Sequence, residues 1–308
     1  MMDSKPNYHI PVLFFEALEL LAIKPDGVYV DATLGGGGHT RGILEKLGPA
    51  GKLVVFDQDP DAWPNAPKDD RVILVKQNFR HIAKYLKFYG IKQVDGILAD
   101  LGVSSHQFDE AIRGFSFRFD APLDMRMNTS GAKDAAQVLA TYDEKQLLEI
   151  FRKYGELRQV HHLVNKLMAK KGQVKTTRDL VAVAEEAYGK RKCDASLLAQ
   201  IFQALRIEVN EELKVLEEFL LALPPLVKTG GRVAIMSYHS LEDRLVKHFL
   251  KTGHLSGEME KDFYGNDIRP FKPTQSKPII PSLEEISRNS RASSAKMRVA
   301  EKIEIKKR

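Results

Sequence analysis

Val28-Tyr29-Val30-Asp31-Ala32-Thr33-Leu34-Gly35-Gly36-Gly37-Gly38-His39-Thr40 decides how the rest of the chain is read: a branched run, a carboxylate, four glycines and the start of a helix. Val28 and Val30 suit a buried strand. The glycines behind it let the backbone turn tightly and approach a ligand with no Cβ in the way. A dinucleotide fingerprint, G-x-G-x-x-G, counted from Gly35 finds Thr40 where its third glycine belongs. Asp31 at the strand end would also set a negative charge beside a pyrophosphate, whereas it suits a cation. A ligand carrying an ammonium and a sulfonium, such as S-adenosylmethionine, turns that carboxylate into a contact. An NAD-dependent oxidoreductase is the second reading of the loop.

Outward from the loop, strand-like and helix-like stretches alternate. Short apolar runs at 28–30, 53–56, 72–75 and 97–99 are separated by helical patterns at 39–47, 59–66 and 78–89, the last with Asn78 placed as its N-cap. This predicts an α/β fold, a doubly wound, mostly parallel Rossmann-like sheet. Beyond Leu101 the strand signal stops. Thr141 with Glu144 reads as a capping box, and helical periodicity follows over 160–170, 178–188 and 195–223, with Gly155, Gly172 and Gly189 between segments. The β-period returns at 232–238, after Gly230-Gly231, and again near 297–305. The expected organisation is an α/β domain of residues 1–110 and 208–308 around an inserted helical domain, 111–207.

The strand ends carry the candidate chemistry. Asp57 closes the second strand twenty residues past Gly37, where an acid accepts both hydroxyls of a ribose. Phe79 is placed to cover an adenine face or to fill the core. Asp100 ends the fourth strand, in the crevice where open α/β sheets bind substrates. An aromatic amine has its lone pair delocalised into the ring, so it attacks a methyl sulfonium only when acceptors hold its N–H groups, and Asp100 is such an acceptor. Attack from carbon 5 of a cytosine would need a cysteine thiolate. The chain has one cysteine, Cys193, and it lies in the helical insertion.

Composition bounds the remaining choices. The 308 residues are 43% hydrophobic and 29% charged, as in ordinary globular chains, and one cysteine allows no internal disulfide. No apolar run approaches the roughly 20 residues that span a bilayer, and Met1 to Tyr8 lack the order of a secretion signal. A cytoplasmic protein without a membrane partner is expected. Net charge is +6, and residues from Arg288 onward hold eight cations against Glu301 and Glu304, also +6, so residues 1–287 balance to zero. A basic terminus on a neutral body points to an anionic partner such as nucleic acid. His161 and His162 are adjacent on a helix and cannot share one ion, and methyl transfer from a sulfonium needs no metal. Full turnover in EDTA is therefore expected; activity abolished by chelator and restored by one divalent ion, on RNA whose folding needs none, would overturn this.

Ordered motifs run through nearly the whole chain: His9-Ile10-Pro11-Val12-Leu13, Gly37-Gly38-His39, Phe56-Asp57-Gln58-Asp59-Pro60, Asp100-Leu101-Gly102-Val103-Ser104-Ser105, Arg113-Gly114-Phe115-Ser116-Phe117, Pro122-Leu123-Asp124-Met125-Arg126-Met127, Arg206-Ile207-Glu208-Val209-Asn210, Ser237-Tyr238-His239-Ser240-Leu241-Glu242-Asp243-Arg244 and Ser294-Ala295-Lys296. In these the sequence resembles the bacterial S-adenosylmethionine-dependent methyltransferases, of class I fold, that modify the exocyclic N4 of a decoding-centre cytosine in 16S ribosomal RNA. The resemblance places Gly37, Gly38, His39, Asp57, Phe79, Asp100 and Gln107 on cofactor-contact positions, beside Asp31 and Gly35 of the loop. It implies that the helical insertion helps to recognise RNA, within the small ribosomal subunit or its assembly intermediate. The family's tail usually reads Asn-Pro-Arg-Ala-Arg-Ser-Ala-Lys; here Ser290 and Ser293 replace a proline and an arginine. No Pro-Pro-aromatic platform follows the fourth strand, which leaves Phe115, Phe117 or Phe119 to stack the base, unless they form the inward face of a short strand. Arg126, His239, Arg291 and Lys296 are the remaining candidate RNA contacts. An RNA-binding assembly factor without catalysis is the alternative from another class.

Overall fold

The computed structural model describes residues 11–131 and 133–304. His9, Ile10, Ile305 and the terminal cations Lys306, Lys307 and Arg308 lie outside the described residues. The chain divides into two compact units, one of Met1–Gly102 with Val215–Arg308, the other of Val103–Lys214.

In the first unit β1 (Val28–Asp31), β2 (Lys52–Phe56), β3 (Val72–Val75), β4 (Val94–Asp100), β5 (Val227–Ser237), β6 (Phe271–Pro273) and β7 (Lys296–Lys302) form one sheet. Its order is β3-β2-β1-β4-β5-β7-β6. The first five strands pair in parallel, whereas β7 runs antiparallel to both β5 and β6. Val30 stands opposite Val54 and Ile97, and Ile97 opposite Val233. Because successive side chains leave a strand on opposite faces, these four join one core with Phe219 and Phe249, while Tyr29, Leu53, Leu98 and Ala234 join a second. Helices seal both faces, as a parallel sheet requires. Leu18 of α1 (Phe14–Leu20) and Ile43 of α2 (Gly38–Lys46) enter the second core, and Ile82 and Leu86 of α3 (Ile82–Phe88) the first.

The second unit is helical: α4 (Ser105–Asp109), α5 (Ala135–Thr141), α6 (Glu144–Lys153), α7 (Val160–Ala169), α8 (Thr177–Tyr188) and α9 (Ala195–Asn210). They share a core containing Leu147, Phe151, Leu163, Leu180 and Ile201. Then come α10 (Glu212–Leu226), α11 (Ser240–Thr252) and α12 (Leu283–Arg288). The helical unit runs from Val103 to Lys214: Val103 and Phe108 pack on the helical core and α9 continues to Asn210.

Four local expectations change. The segment 59–66 holds only one 3₁₀ turn, Trp63–Asn65, since Pro60 and Pro64 supply no N–H to a helix. The long helix 195–223 breaks at Glu211, whose φ of 50° is left-handed. Asp143, not Thr141, caps α6, in a reciprocal box with Gln146. Thr141 instead ends α5, its hydroxyl donating to the Gln137 carbonyl at 2.8 Å. The alternating phenylalanines form no strand; residues 114–119 are loop and turn.

Candidate active site

The carboxyl ends of β1, β2 and β4 bring Asp31, Asp57 and Asp100 close enough to repel one another: the charges of Asp100 and Asp57 both act on Asp31. Asp31 is fully buried behind the glycine loop. Its Oδ2 accepts from the Thr40 hydroxyl at 2.6 Å and its Oδ1 from the Thr33 N–H at 3.1 Å. Burial pushes this carboxyl up to about 7, the two hydrogen bonds working against it. Asp31 thus braces the loop, with both carboxylate oxygens already accepting hydrogen bonds from within it. Thr40, read in the sequence as a missing glycine, is the hydroxyl that holds it.

Gly35 and Gly37 have φ of 47° and 73°, a region costly for other residues. Gly38 answers a different need: a Cβ there would lie 2.1 Å from Pro11 Cγ. The carbonyls of Gly35 and Gly36 are held by Asn65 Nδ2 at 2.7 Å and Arg41 Nη2 at 2.6 Å, two partners the sequence reading missed. The Gly35 N–H donates to Asp57 Oδ2 at 2.9 Å. A Cβ at Gly35 or Gly36 would meet nothing within 4 Å, so this stretch borders open space. Helix α2 begins at the left-handed Gly37 without a side-chain cap, and its dipole favours an anionic group there.

Asp57 uses Oδ1 to accept the Asp59 N–H at 2.8 Å, an Asx turn that replaces the expected helix. Burial pushes its carboxyl up to about 6, against the N–H groups of Asp59 and Gly35. Phe79 opens a 3₁₀ turn capped by Asn78, and its half-buried ring meets Phe219 edge-on at 5.0 Å. The ring is thus packed in part on the core.

Asp100 is fixed at three points. Its N–H donates to Thr33 Oγ1 at 2.7 Å, which ties the end of β4 to β1. The Tyr238 hydroxyl, from the end of β5, donates to Oδ1 at 2.7 Å. His39 Nδ1 stands 3.8 Å from Oδ2. Burial raises Asp100 to about 7, Tyr238 opposing and the charge of Glu242 adding. Its side chain nevertheless keeps 24% of its surface open, so the carboxylate sits deep in the protein yet remains reachable. His39 is buried, its ring stacked on Phe14 at 6.0 Å, and burial lowers its pKa to about 4, the Val12 backbone offsetting this only in part. The imidazole is neutral at pH 7, and its buried Nε2 makes no hydrogen bond of normal geometry. Among the described residues no lysine or arginine pairs with Asp31, Asp57 or Asp100.

The remaining sequence candidates have other partners. His239 is the N-cap of α11: Nδ1 accepts the Glu242 N–H at 3.4 Å, and Nε2 lies 3.3 Å from Glu242 Oε1. Its side chain is only 7% exposed, so its described contacts are within the fold. Lys296 Nζ is 3.6 Å from Asp243, and Arg291 lies half-buried in the 3₁₀ turn Ser290–Ser294. In the helical unit Gln107 is buried as the capping-box partner of Ser104, whose N–H it accepts at 3.0 Å. Phe115 is core at 5% exposure, and Phe117 packs edge-on against Phe202 at 5.6 Å. Phe119, 46% exposed, is the ring left open. Arg126 is engaged by both oxygens of Asp124, at 2.8 and 2.7 Å, and by the Gly131 carbonyl.

A doubly wound sheet with an antiparallel strand inserted beside β5, ending in clustered acids around a glycine turn, is the architecture of the S-adenosylmethionine-dependent class I methyltransferases. The chain belongs to the MraW methylase family, whose sequence profile matches residues 7–303. It is 51% identical over 299 residues to the ribosomal RNA small subunit methyltransferase H of Christiangramia forsetii, covering 96% of this chain and 98% of that one. The protein of the same name from Flavobacterium johnsoniae is 52% identical over 304 residues, covering 98% and 100%. That of Flavobacterium psychrophilum is 53% identical over 289 residues, covering 93% and 99%.

Asp57 and Asp100, whose carboxyls burial pushes up to about 6 and about 7, carry a testable expectation. A cation seated beside them favours their ionised forms, so near pH 6.5 cofactor binding expels protons, and affinity climbs with pH between about 6 and 7.5 by up to tenfold per pH unit for each proton released. Calorimetry in buffers of different ionisation enthalpy measures this directly. A dissociation constant flat over that window, with no proton release, would remove the acids as partners.

Proposed function

We propose that this chain methylates the exocyclic N4 of a cytosine in the 16S RNA of the small ribosomal subunit, with Asp100 as the acceptor for the attacking amine. The observation that carries the reading is the division of labour on Asp100. Tyr238 occupies Oδ1, Thr33 fixes the backbone, and the side chain stays partly open, which leaves Oδ2 for an N–H donor. The sulfonium of S-adenosylmethionine supplies an electrophilic methyl group. Asp57 is the acceptor for the ribose hydroxyls, and the uncapped start of α2 suits the carboxylate of the cofactor. Asp31, through Thr40 and Thr33, keeps the loop in shape. With the cofactor bound, its sulfonium would supply the methyl, the S–C bond breaking and S-adenosylhomocysteine leaving as the N–C bond forms. Oδ2 of Asp100 would hold the amine N–H, favour a pyramidal nitrogen and take the displaced proton on to water.

The names of the relatives support small-subunit RNA as substrate. N4 over carbon 5 is supported by Cys193, which lies in the helical unit, half-buried, its thiol pushed above its usual range by burial and by Glu185 and Asp194. Because the base must leave its stack to reach Asp100, a loosely structured assembling particle is a better substrate than a closed duplex. Transfer of labelled methyl to small-subunit RNA, followed by nucleoside analysis, tests the proposal. N4-methylcytidine is the expected product. Label on carbon 5 or on ribose would reassign the chemistry, and RNA binding with no transfer would favour the assembly factor.

A further inference from the structure

Among the described residues, several of the terminal cations are engaged within the chain. Arg288 pairs with Glu284, Arg298 grips both oxygens of Asp243 at 2.7 and 3.1 Å, Lys296 adds to the same carboxylate, and Lys302 lies over the Phe271 ring at 5.6 Å. Meanwhile the neutral body is not evenly neutral. Residues 145–175 carry eight lysines and arginines against Glu149 and Glu156, a net +6 equal to that of the whole chain.

These cations share the solvent side of α6, α7 and the turns that follow each. Leu147, Ile150 and Phe151 of α6 and Val160, Leu163, Val164 and Leu167 of α7 are buried, while Lys145, Arg152, Arg158, Lys166 and Lys175 are exposed. Arg152 Nη2 reaches His161 Nε2 at 3.4 Å, which brings the end of α6 against the start of α7. Lys145, Arg152 and Lys153 line one shallow hollow with Leu148 and a single acid, Glu149. Lys170 is paired with Glu186, whose carboxyl also feels the charge of Lys166, but Lys145, Arg152, Arg158, Lys166 and Lys175 have no described carboxylate within 4.0 Å. Unpaired like charges held on one face repel until a polyanion lies across them, and each cation neutralised by a phosphate releases a counterion. An anionic membrane would call for a broad apolar surface beside the cations, and here Leu148 is the one apolar residue lining the hollow, while Leu147, Ile150 and Phe151 of α6 and Val160, Leu163, Val164 and Leu167 of α7 are buried.

We propose that the α6–α7 face of the helical unit is a docking surface for the phosphodiester backbone of RNA, with Lys145, Arg152 and Lys166 at its centre. This rests on RNA being the substrate. The test is the triple variant Lys145→Gln, Arg152→Gln, Lys166→Gln, titrated with a small-subunit RNA transcript from about 50 to 300 mM KCl, where three lost single-strand contacts flatten the log–log salt slope by roughly 2. Affinity at the low-salt end is expected to fall ten- to hundredfold, with cofactor affinity and melting temperature unchanged. Lys306→Gln with Lys307→Gln serves as comparison and is expected to change affinity less than threefold. A triple variant with the wild-type slope would sink the docking face, the more so if the terminal pair carried the loss. If the wild-type protein methylates that RNA while the triple variant keeps its slope, only this face is wrong. If the wild type neither binds nor methylates it, the substrate reading falls and the docking face with it.

Discussion

Asp100→Asn is expected to slow methyl transfer by about 10²–10⁴-fold, the range a positioned acid–base group contributes, while the protein folds and still binds cofactor. Asparagine has nearly the shape of aspartate. Its carbonyl can still accept from the Tyr238 hydroxyl, which is 2.7 Å from Oδ1 in the native protein. What it cannot supply is an anionic oxygen for the amine. The neighbouring substitution separates this role from simple positioning. Tyr238→Phe keeps the anion but removes a hydrogen bond that favours it, so the pKa of Asp100, already raised to about 7 by burial, moves higher. Sign and readout follow: an ionised carboxylate is needed, so the acidic limb of the rate–pH profile moves to higher pH, and the rate at pH 7 falls by up to about tenfold for a limb displaced by one pH unit. Single-turnover transfer by Asp100→Asn at the wild-type rate would take Asp100 out of the chemistry.

The parts of this site legible in the sequence are those fixed by backbone geometry. A branched run followed by an acid and glycines is a strand, a turn and a helix start whatever surrounds it, and Asp31, Asp57 and Asp100 do lie at strand ends. Which of them faces a ligand is not legible, because burial is decided by packing between distant segments. Asp31 reads as a ligand contact, and its sequence gives no sign that Thr40 and Thr33 both hydrogen-bond to it. Tyr238 lies 138 residues from the carboxylate it holds, and its only sequence signal is its place just after a strand. His239, one residue on, carries the same signal and is a helix cap. Aromatic spacing misleads at Phe115, where alternate residues in an irregular loop mimic a strand. A linear count of charge shows the basic tail but not that Asp243, distant in sequence, meets Lys296 and Arg298 in the fold.

Asp57→Ala is expected to weaken S-adenosylmethionine binding by about 10²–10³-fold. Two hydroxyls donating to a carboxylate are each worth about 1.5–3 kcal/mol, and at roughly 1.4 kcal/mol per tenfold even the lower figure for both exceeds a hundredfold. The substitution has a second consequence, for Asp57 also accepts the N–H groups of Gly35 and Asp59, at 2.9 and 2.8 Å. Removing it frees the loop as well as the ribose site. Two fragments of the cofactor tell these apart. 5′-Methylthioadenosine contains the ribose and methionine does not, so a lost ribose contact weakens the first and spares the second. A loosened glycine loop weakens both. Asp57→Asn, which keeps one accepting oxygen for the backbone, should then recover methionine binding but not that of the nucleoside. Calorimetric titration of all four combinations checks this, and an Asp57→Ala protein that binds the whole cofactor within threefold of wild type would show that the end of β2 does not hold the ribose.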